Sequence, residues 1–120
     1  MDIRKIEQNG HVYMFVNETW ETYHAWGHKT TLFIDDIERA TKKIRYYNRT
    51  WECYTYQTTM RCCIDDLIAE LTTKYINNYK KTNNIKRLTK NKKQDALKNL
   101  HETIDYKELQ GVMHQLNYSC

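Results

Sequence analysis

The segment MRCCIDDLIAELTTKYI, residues 60–76, decides the fold that we predict for this chain. Its apolar residues recur at spacings of three, four, seven and eight, which place them on one face of a helix. The residues on this face are Met60, Cys63, Ile64, Leu67, Ile68, Leu71, Tyr75 and Ile76. We therefore predict one long amphipathic helix over residues 55–80, with Thr50 or Thr55 capping its start.

The residues before this helix follow the period of β-strands instead. The strand-like segments are HVYMFV (11–16), HKTTLFI (28–34) and ERATKKIRYY (38–47), with a turn at Asp35-Asp36-Ile37. The segment WETYHAW (20–26) is predicted either to extend the first strand or to form a second one. In the last segment Ala40, Ile44 and Tyr46 share one face, which Lys42 interrupts. Such alternation is typical of an antiparallel sheet with one solvated side. We predict a three- or four-stranded antiparallel sheet over residues 11–47.

The last part of the chain, residues 81–120, carries a basic connector and the pattern of two shorter helices. One helix is predicted over about residues 90–104, capped by Thr89, and the other over about residues 105–116, capped by Asp105. The predicted fold class is therefore α+β. In this fold the antiparallel sheet is packed by one long helix, with two shorter C-terminal helices after it.

Composition is typical of a small single-domain protein. The chain has 120 residues, of which 40% are hydrophobic, and is predicted to form one domain, residues 1–120. It has no apolar run of about 18 residues, and its start lacks the features of a signal peptide. We therefore expect a cytoplasmic protein without membrane contact. Its four cysteines are expected to be reduced thiols, with Cys63 in the core.

The junction between sheet and helix, YYNRTWECYTYQT at residues 46–58, has five aromatic residues among thirteen. Aromatic side chains bury a large apolar area. One interpretation is that Trp51 and one or two of the tyrosines fill the corner between the last strand and the helix. The alternative is an exposed platform on which nucleic-acid bases stack.

A short motif within this junction carries a resemblance to known proteins. The matching residues are Asn48, Arg49, Thr50, Trp51, Glu52 and Tyr54, with Gln57 soon after. This N-R-T-W-E-x-Y motif and the hairpin before it resemble those of small, uncharacterised accessory proteins of Firmicutes phages and mobile elements. The resemblance covers roughly residues 24–70. It implies a phage-accessory origin, and small phage proteins of this size often inhibit host defence, as anti-CRISPR proteins do.

The strongest functional signal is KKTNNIKRLTKNKK, residues 80–93, with seven basic residues and no acidic one. Residues 1–79 carry 10 basic and 11 acidic side chains, whereas residues 80–120 carry 9 and 4. Such concentrated positive charge suits phosphate groups or an acidic protein surface. The candidate binding residues are Lys80, Lys81, Lys86, Arg87, Lys90, Lys92 and Lys93. The alternative is a solvated connector whose lysines only keep the protein soluble.

A second candidate patch combines cations and aromatic rings near the junction. Arg45, Arg49 and Tyr54, together with Tyr47, are predicted to bind phosphate and stack bases from the solvated face of the sheet. No sequence signature of a known nucleic-acid-binding fold accompanies them.

Signatures of catalysis and of metal binding are missing from the sequence. Adjacent Cys62 and Cys63 lack the spacing with which two thiolates reach one tetrahedral ion. Asp35 and Asp36 fit a turn, and the five histidines have no partner in a known catalytic signature. We therefore expect a non-enzymatic protein without a cofactor or a metal ion.

Three hypotheses on function follow. The favoured one is a phage-encoded, anti-CRISPR-like inhibitor that binds a host defence nuclease or its ribonucleoprotein complex in the cytoplasm of the bacterial host. The alternative is a small nucleic-acid-binding accessory protein whose lysine-rich segment contacts the RNA or DNA backbone. The third is an oligomeric structural module, such as a homodimer, in which the amphipathic terminal helices, especially the one at residues 105–116, pair between copies.

Overall fold

The computed structural model describes residues 1–46 and 56–117, which form one four-stranded antiparallel sheet and three helices. The strands are β1 (Asp2–Gln8), β2 (His11–Glu21), β3 (Trp26–Ile34) and β4 (Ile37–Tyr46). The helices are α1 (Tyr56–Thr82), α2 (Lys90–Leu100) and α3 (Ile104–Asn117). The predicted α+β fold, with one long helix and two shorter C-terminal helices, is confirmed.

An edge strand, β1, precedes the predicted start of the sheet at residue 11. It pairs antiparallel with β2 and has no second neighbour among the described strands. Its apolar residues are Ile3 and Ile6, and of these only Ile6 is buried. Only one apolar side chain of β1 faces the core. The alternation of apolar and polar residues is therefore too weak to predict this strand from the sequence.

The strands follow one another as neighbours in the order β1-β2-β3-β4. Asn9 and Gly10 join β1 to β2 with φ angles of 52° and 79°, and Asp35 and Asp36 join β3 to β4 with φ angles of 50° and 68°. A two-residue hairpin turn with two positive φ angles matches the twist of the strands, and Asn and Asp tolerate such angles. The predicted turn is thus found at Asp35 and Asp36, and Ile37 begins β4.

One face of the sheet, here called the inner face, carries the hydrophobic core. Phe15 and Leu32 from the sheet meet Cys63 and Ile64 from α1, and all four are 0% exposed. The predicted apolar face of the long helix is therefore confirmed where the helix lies on the sheet. Cys63 is in the core as predicted, and burial raises the pKa of its thiol to about 12, so the thiol stays protonated.

A buried polar link ties α1 to the sheet inside this core. Asn17, Thr30 and Thr59 are each 0% exposed. The Thr30 hydroxyl lies 2.7 Å from Asn17 Oδ1 and 2.5 Å from the Thr59 hydroxyl. Buried polar atoms require hydrogen-bond partners, so this link fixes the position of α1 along β2 and β3.

The first half of α1 lies along β3, and its second half extends beyond the sheet. All of the buried residues of α1 fall between Thr59 and Leu67. Lys74 already lies beside the turn at Asp35, where β3 ends. The molecule is accordingly elongated, with extents of 53 × 33 × 24 Å. Its radius of gyration is 17.2 Å, against about 14 Å for a compact chain of this length.

The two C-terminal helices fold back along α1. α2 contacts α1 and buries Ala96 and Leu100, and α3 contacts α1 and β1. Leu109, Val112 and Leu116 of α3 belong to the core on the inner face. The apolar face of α3 is therefore occupied within the chain and is not open to the pairing between copies that the third hypothesis places chiefly on this helix.

Of the predicted helix caps, those of α2 and α3 lie among the described residues, and one of these two differs from the prediction; Thr50 and Thr55 lie outside the described residues. Thr89 caps α2 as predicted, because its side chain accepts a hydrogen bond from the Lys92 N–H. Asp105 lies inside the first turn of α3 instead of capping it. The cap is Thr103, whose hydroxyl accepts from the Tyr106 N–H at 3.2 Å. α2 ends at Leu100, before its predicted end at residue 104.

Two tyrosines flank the junction at the end of the sheet. Tyr46 and Tyr56 both contact the ring of His28, with ring centroids 5.7 Å and 4.6 Å from it. Trp26 packs on Tyr46 with a centroid distance of 4.8 Å. The interpretation of the junction as a packed corner is confirmed for these tyrosines. Trp51 and the motif around it lie outside the described residues.

Candidate functional site

The seven cations predicted as a binding site lie in and beside the connection between α1 and α2, called here the basic tip: Lys80, Lys81, Lys86, Arg87, Lys90, Lys92 and Lys93. They lie at the end of α1, in the connector and at the start of α2. Six are exposed and Lys80 is half-buried. None of them forms an ion pair within residues 1–46 and 56–117, so their charge is not neutralised by that part of the chain.

The chain reverses direction within the basic tip through a defined helix-ending turn. Asn84 has a φ angle of 53°. The Ile85 N–H donates to the Lys80 carbonyl at 2.9 Å, and the Asn84 N–H donates to the Lys81 carbonyl at 3.4 Å. This is the pattern of a Schellman motif, in which a left-handed residue satisfies the last carbonyls of a helix. The lysine-rich connector therefore has a specific backbone geometry.

Lysines at the start of α2 oppose the stability of that helix. Lys80 and Lys81 lie in the last turn of α1, where cations are favourable, but the first turn of α2 contains lysines and no acidic residue. A cation at a helix N-terminus opposes the helix dipole by about 0.3–1 kcal/mol. An anionic partner would reverse this effect, because helix N-termini attract anions. The arrangement suits a negatively charged partner better than it suits an isolated helix.

Arg45 lies on the opposite face of the sheet, here called the outer face, beside Trp20 and Lys43. The Arg45 guanidinium carbon is 5.5 Å from the centroid of the Trp20 ring, and Lys43 Nζ is 4.4 Å from it. Gly27 gives the ring room, because a Cβ there would come within 2.7 Å of the Trp20 ring and 1.9 Å of the Ile44 carbonyl oxygen. Trp20 is half-buried and covered by cations, so its ring is less open to bases than a free stacking platform.

The two predicted sites are far apart in the structure. Arg45 lies near the start of α1, where the Tyr56 hydroxyl contacts the Thr19 hydroxyl next to Trp20. Lys80 follows Tyr56 by 24 residues of helix, which corresponds to about 36 Å. The basic tip and the Arg45 patch are therefore separate surfaces. Arg49 and Tyr54, which completed the predicted patch, lie outside the described residues.

A cavity of about 370 Å³ opens beside the turn between β3 and β4. On its wall, His11 Nδ1 is 2.6 Å from Asp35 Oδ2, and His11 Nε2 is 3.9 Å from Glu108 Oε1. The Tyr13 hydroxyl donates to Glu108 Oε2 at 2.7 Å. The apolar lining includes Ile34, Leu67, Leu71 and Leu109. The size and the mixed lining fall within the range of small-molecule sites.

Hydrogen bonds and nearby charges set the protonation of this cluster. The hydrogen bond to Asp35, with the Glu108 carboxylate nearby, raises the pKa of His11, and the same bond lowers the pKa of Asp35. Burial and the bond to Glu108 raise the pKa of Tyr13, so its hydroxyl stays a donor. His11 can therefore hold a proton between two carboxylates. The described cavity lining contains no serine, threonine or cysteine that would act as a nucleophile.

This cluster is not visible in the sequence, because its members are distant along the chain. The sequence pattern predicts a turn at Asp35 and gives His11 no partner in a known catalytic signature. The register of the β2–β3 hairpin pairs Tyr13 with Ile34. The next residue of β2, Val12, accepts a hydrogen bond from the Asp35 N–H at 3.0 Å, so the adjacent His11 comes beside Asp35. The strand register was the signal that could have found this pair. Glu108 arrives from α3, whose position on the sheet no local pattern indicates.

Metal sites, membrane spans and relatives give no further indication of the kind of protein. Among the described residues, no group of three or more His, Cys, Asp or Glu side chains is placed to hold a metal ion. No helix in the described ranges is long and apolar enough to cross a membrane. No protein family, curated protein or solved structure matches this chain. The resemblance to phage accessory proteins therefore stays a prediction.

Proposed function

We propose that this protein binds nucleic acid through the basic tip, by contacts with phosphate groups that do not depend on base sequence. The observation that carries the proposal is the placement of seven cations on the projecting end of α1 and α2, without ion-pair partners in the described part of the chain. Cations that neutralise phosphates release condensed counterions, and this release favours binding to any sequence.

The expected contact is with the backbone of the nucleic acid. Residues 80–93 contain no aromatic side chain on which a base could stack, and stacking is the usual way to hold unpaired bases. The N–H groups at the start of α2 add donors that suit a phosphate oxygen. Binding should therefore vary little between sequences and should weaken steeply as salt is added.

Fluorescence anisotropy tests this proposal with labelled single-stranded RNA and duplex DNA of unrelated sequences at several salt concentrations. The tip variant carries Lys90→Gln, Lys92→Gln and Lys93→Gln. A control variant carries Arg61→Gln, Lys98→Gln and Lys107→Gln, which removes three exposed cations elsewhere on the helices.

We expect the tip variant to bind every sequence more weakly than the control variant does. For duplex DNA, the slope of log affinity against log salt should fall by roughly 0.9 for each phosphate that the tip variant no longer neutralises. Equal affinity and an equal slope for the wild type and the tip variant would overturn the proposal.

A second proposal is the anti-CRISPR-like inhibitor favoured from the sequence. The shape of the molecule supports it, because the molecule is elongated, with a longest extent of 53 Å, and the basic tip lies where α1 and α2 meet, beyond the sheet. Such a projection suits a groove in which a defence nuclease holds its guide RNA or its target. The lysines would then contact nucleic acid inside a ribonucleoprotein complex, and inhibition would follow from blocking that groove.

A pull-down from lysates of AT-rich Firmicutes that carry defence systems, with and without nuclease treatment, tests this second proposal. The captured complex is then purified and its cleavage of target is measured with the wild type and with the tip variant. Inhibition by the wild type that the tip variant loses supports the proposal. If the pull-down recovers nucleic acid without a protein partner, and the nucleic acid is lost at higher salt, the inhibitor proposal is wrong and the nucleic-acid-binding proposal stands.

A further inference from the structure

We infer that two copies of this chain associate through the outer face of the sheet, about a two-fold axis parallel to the strands. α1 and α3 bury their apolar side chains on the inner face, and α2 packs on α1. The outer face carries an apolar strip: Ile3, Val12, Met14, Val16 and Phe33. Ile3 is 52% exposed and the other four are half-buried. An apolar strip rimmed by charges is typical of a protein–protein interface.

Strand register gives the outer face an ordered charge pattern. One row across the sheet reads Lys5, Met14, Phe33 and Glu38, from β1 to β4. A second row pairs Glu18 on β2 with Lys29 on β3. Each row therefore has one acidic and one basic residue at equal distances from the line between β2 and β3, on opposite sides of it. In the first row that line also has an apolar residue on each side.

A two-fold axis along the line between β2 and β3 brings β1 of one copy opposite β4 of the other, and β2 opposite β3. Each row then faces the same row of the second copy, read in the reverse order. Lys5 then faces Glu38 of the second copy, Met14 faces Phe33, and Glu18 faces Lys29. Every contact of such an isologous interface occurs twice, and complementary charges select this arrangement against wrong pairings. Two sheets packed with aligned strands lie about 10 Å apart, close enough for the side chains of both to meet. The occupant that fits this face is therefore a second copy of the chain.

The axis also relates the two basic tips. Because α1 runs along β3, a rotation about an axis parallel to the strands leaves the direction of α1 unchanged. Both tips then project from the same end of the dimer. This consequence rests on the proposed nucleic-acid binding, and it would let one nucleic acid engage two tips at high effective concentration.

Analytical ultracentrifugation in the micromolar range, without nucleic acid, tests the dimer. Lys5 and Glu38 lie on the two outermost strands, three strand spacings or about 14 Å apart, so they cannot pair within one chain. Lys5→Glu and Glu38→Lys should each weaken dimerisation roughly tenfold, because each change brings like charges together twice. The double variant Lys5→Glu/Glu38→Lys should restore the dimer of the wild type.

Further variants separate the interface from the fold and from the basic tip. Phe33→Glu should give a monomer with an unchanged circular dichroism spectrum. Ile104→Glu changes a side chain on α3 that is 75% exposed and away from this face, and should leave the dimer intact. The inference is overturned if the wild type is monomeric over the whole micromolar range. It is also overturned if the double variant dimerises no more tightly than the single variants do. The tip variant should dimerise as the wild type does, so the two proposals fail separately.

Discussion

The two halves of α1 differ in what their residues contribute to the protein. The first half lies on the sheet and contains every buried residue of the helix, from Thr59 to Leu67. The second half contains no buried residue among those described and ends in Lys80 and Lys81. A helix in water depends on tertiary packing, so the second half relies on partly buried contacts, such as that of Leu71 with the core, and on the contact between α1 and α2. The comparison indicates that buried packing is concentrated at one end of the helix and the lysines of the basic tip at the other.

Truncating an apolar side chain should give the largest difference in stability between the two halves of α1. Ile64→Ala removes a side chain that is 0% exposed and should lower the free energy of unfolding by about 2–5 kcal/mol. Ile76→Ala makes the same change at a half-buried position of the second half. Its effect should be less than half as large, since less apolar area is removed from the packed interior. Urea denaturation followed by circular dichroism measures both, and equal decreases would contradict the comparison.

The buried polar link between the first half of α1 and the sheet should contribute less to the free energy of unfolding than the apolar packing does, but its contribution should still be measurable. Thr30→Val keeps the shape of the side chain and removes the hydroxyl that lies 2.7 Å from Asn17 Oδ1. A buried acceptor left without its donor costs about 1–3 kcal/mol. Thr31→Val is the matched control, because it makes the same change at the next residue, on the outer face. A control as damaging as Thr30→Val would show that strand packing, and not the link, causes the decrease in stability.

Local patterns account for what could be predicted from the sequence. The period of Met60, Ile64 and Leu67 reports a helix face directly, and the alternation in β4 reports a strand. The lysines of the basic tip are visible as composition. The cluster of His11, Asp35 and Glu108 was not predictable in this way, because strand register and the docking of α3 bring its members together. Register also determines the charge rows of the outer face, which no single strand reveals.

The start of α2 offers a test in which stability and binding should change in opposite directions. Lys92 stands three residues after the cap Thr89, so Lys92→Glu completes a capping box and places a negative charge near the helix N-terminus. We expect the free energy of unfolding to rise by about 0.5–1 kcal/mol, while nucleic-acid affinity falls.

Lys98→Glu is the control for this test, because it makes the same charge change in the last turn of the same helix. There the original cation favours the helix dipole, so stability should fall slightly when it is replaced. Denaturation and anisotropy on the same samples measure the two quantities. A decrease of stability in Lys92→Glu would mean that the lysines of this turn are held by contacts within the protein.

The smallest effect is expected at the boundary between the two halves, where the cavity with His11 lies beside Leu71 and Lys74 of α1. The pKa of His11 is raised from its ordinary value of 6.5, so the folded protein holds this proton more tightly than the unfolded chain does. Its stabilisation is therefore complete below pH 6.5 and is lost as pH rises through the raised pKa. The pKa of Asp35 is lowered from 3.8, so its contribution is present above that pH and is lost as pH falls through the lowered pKa.

Stability measured by urea denaturation between pH 4 and pH 8 should therefore decline on the alkaline side in the wild type. His11→Gln should flatten this decline. Asp35→Asn should flatten it too, and it should keep the turn, because Asn also tolerates the positive φ of 50° found there. Identical pH profiles for the wild type and both variants would mean that the pair at 2.6 Å contributes nothing to folding. In that case α3 would be held on the sheet by the buried Leu109, Val112 and Leu116 and by the hydrogen bond from Tyr13 to Glu108, without a contribution from His11.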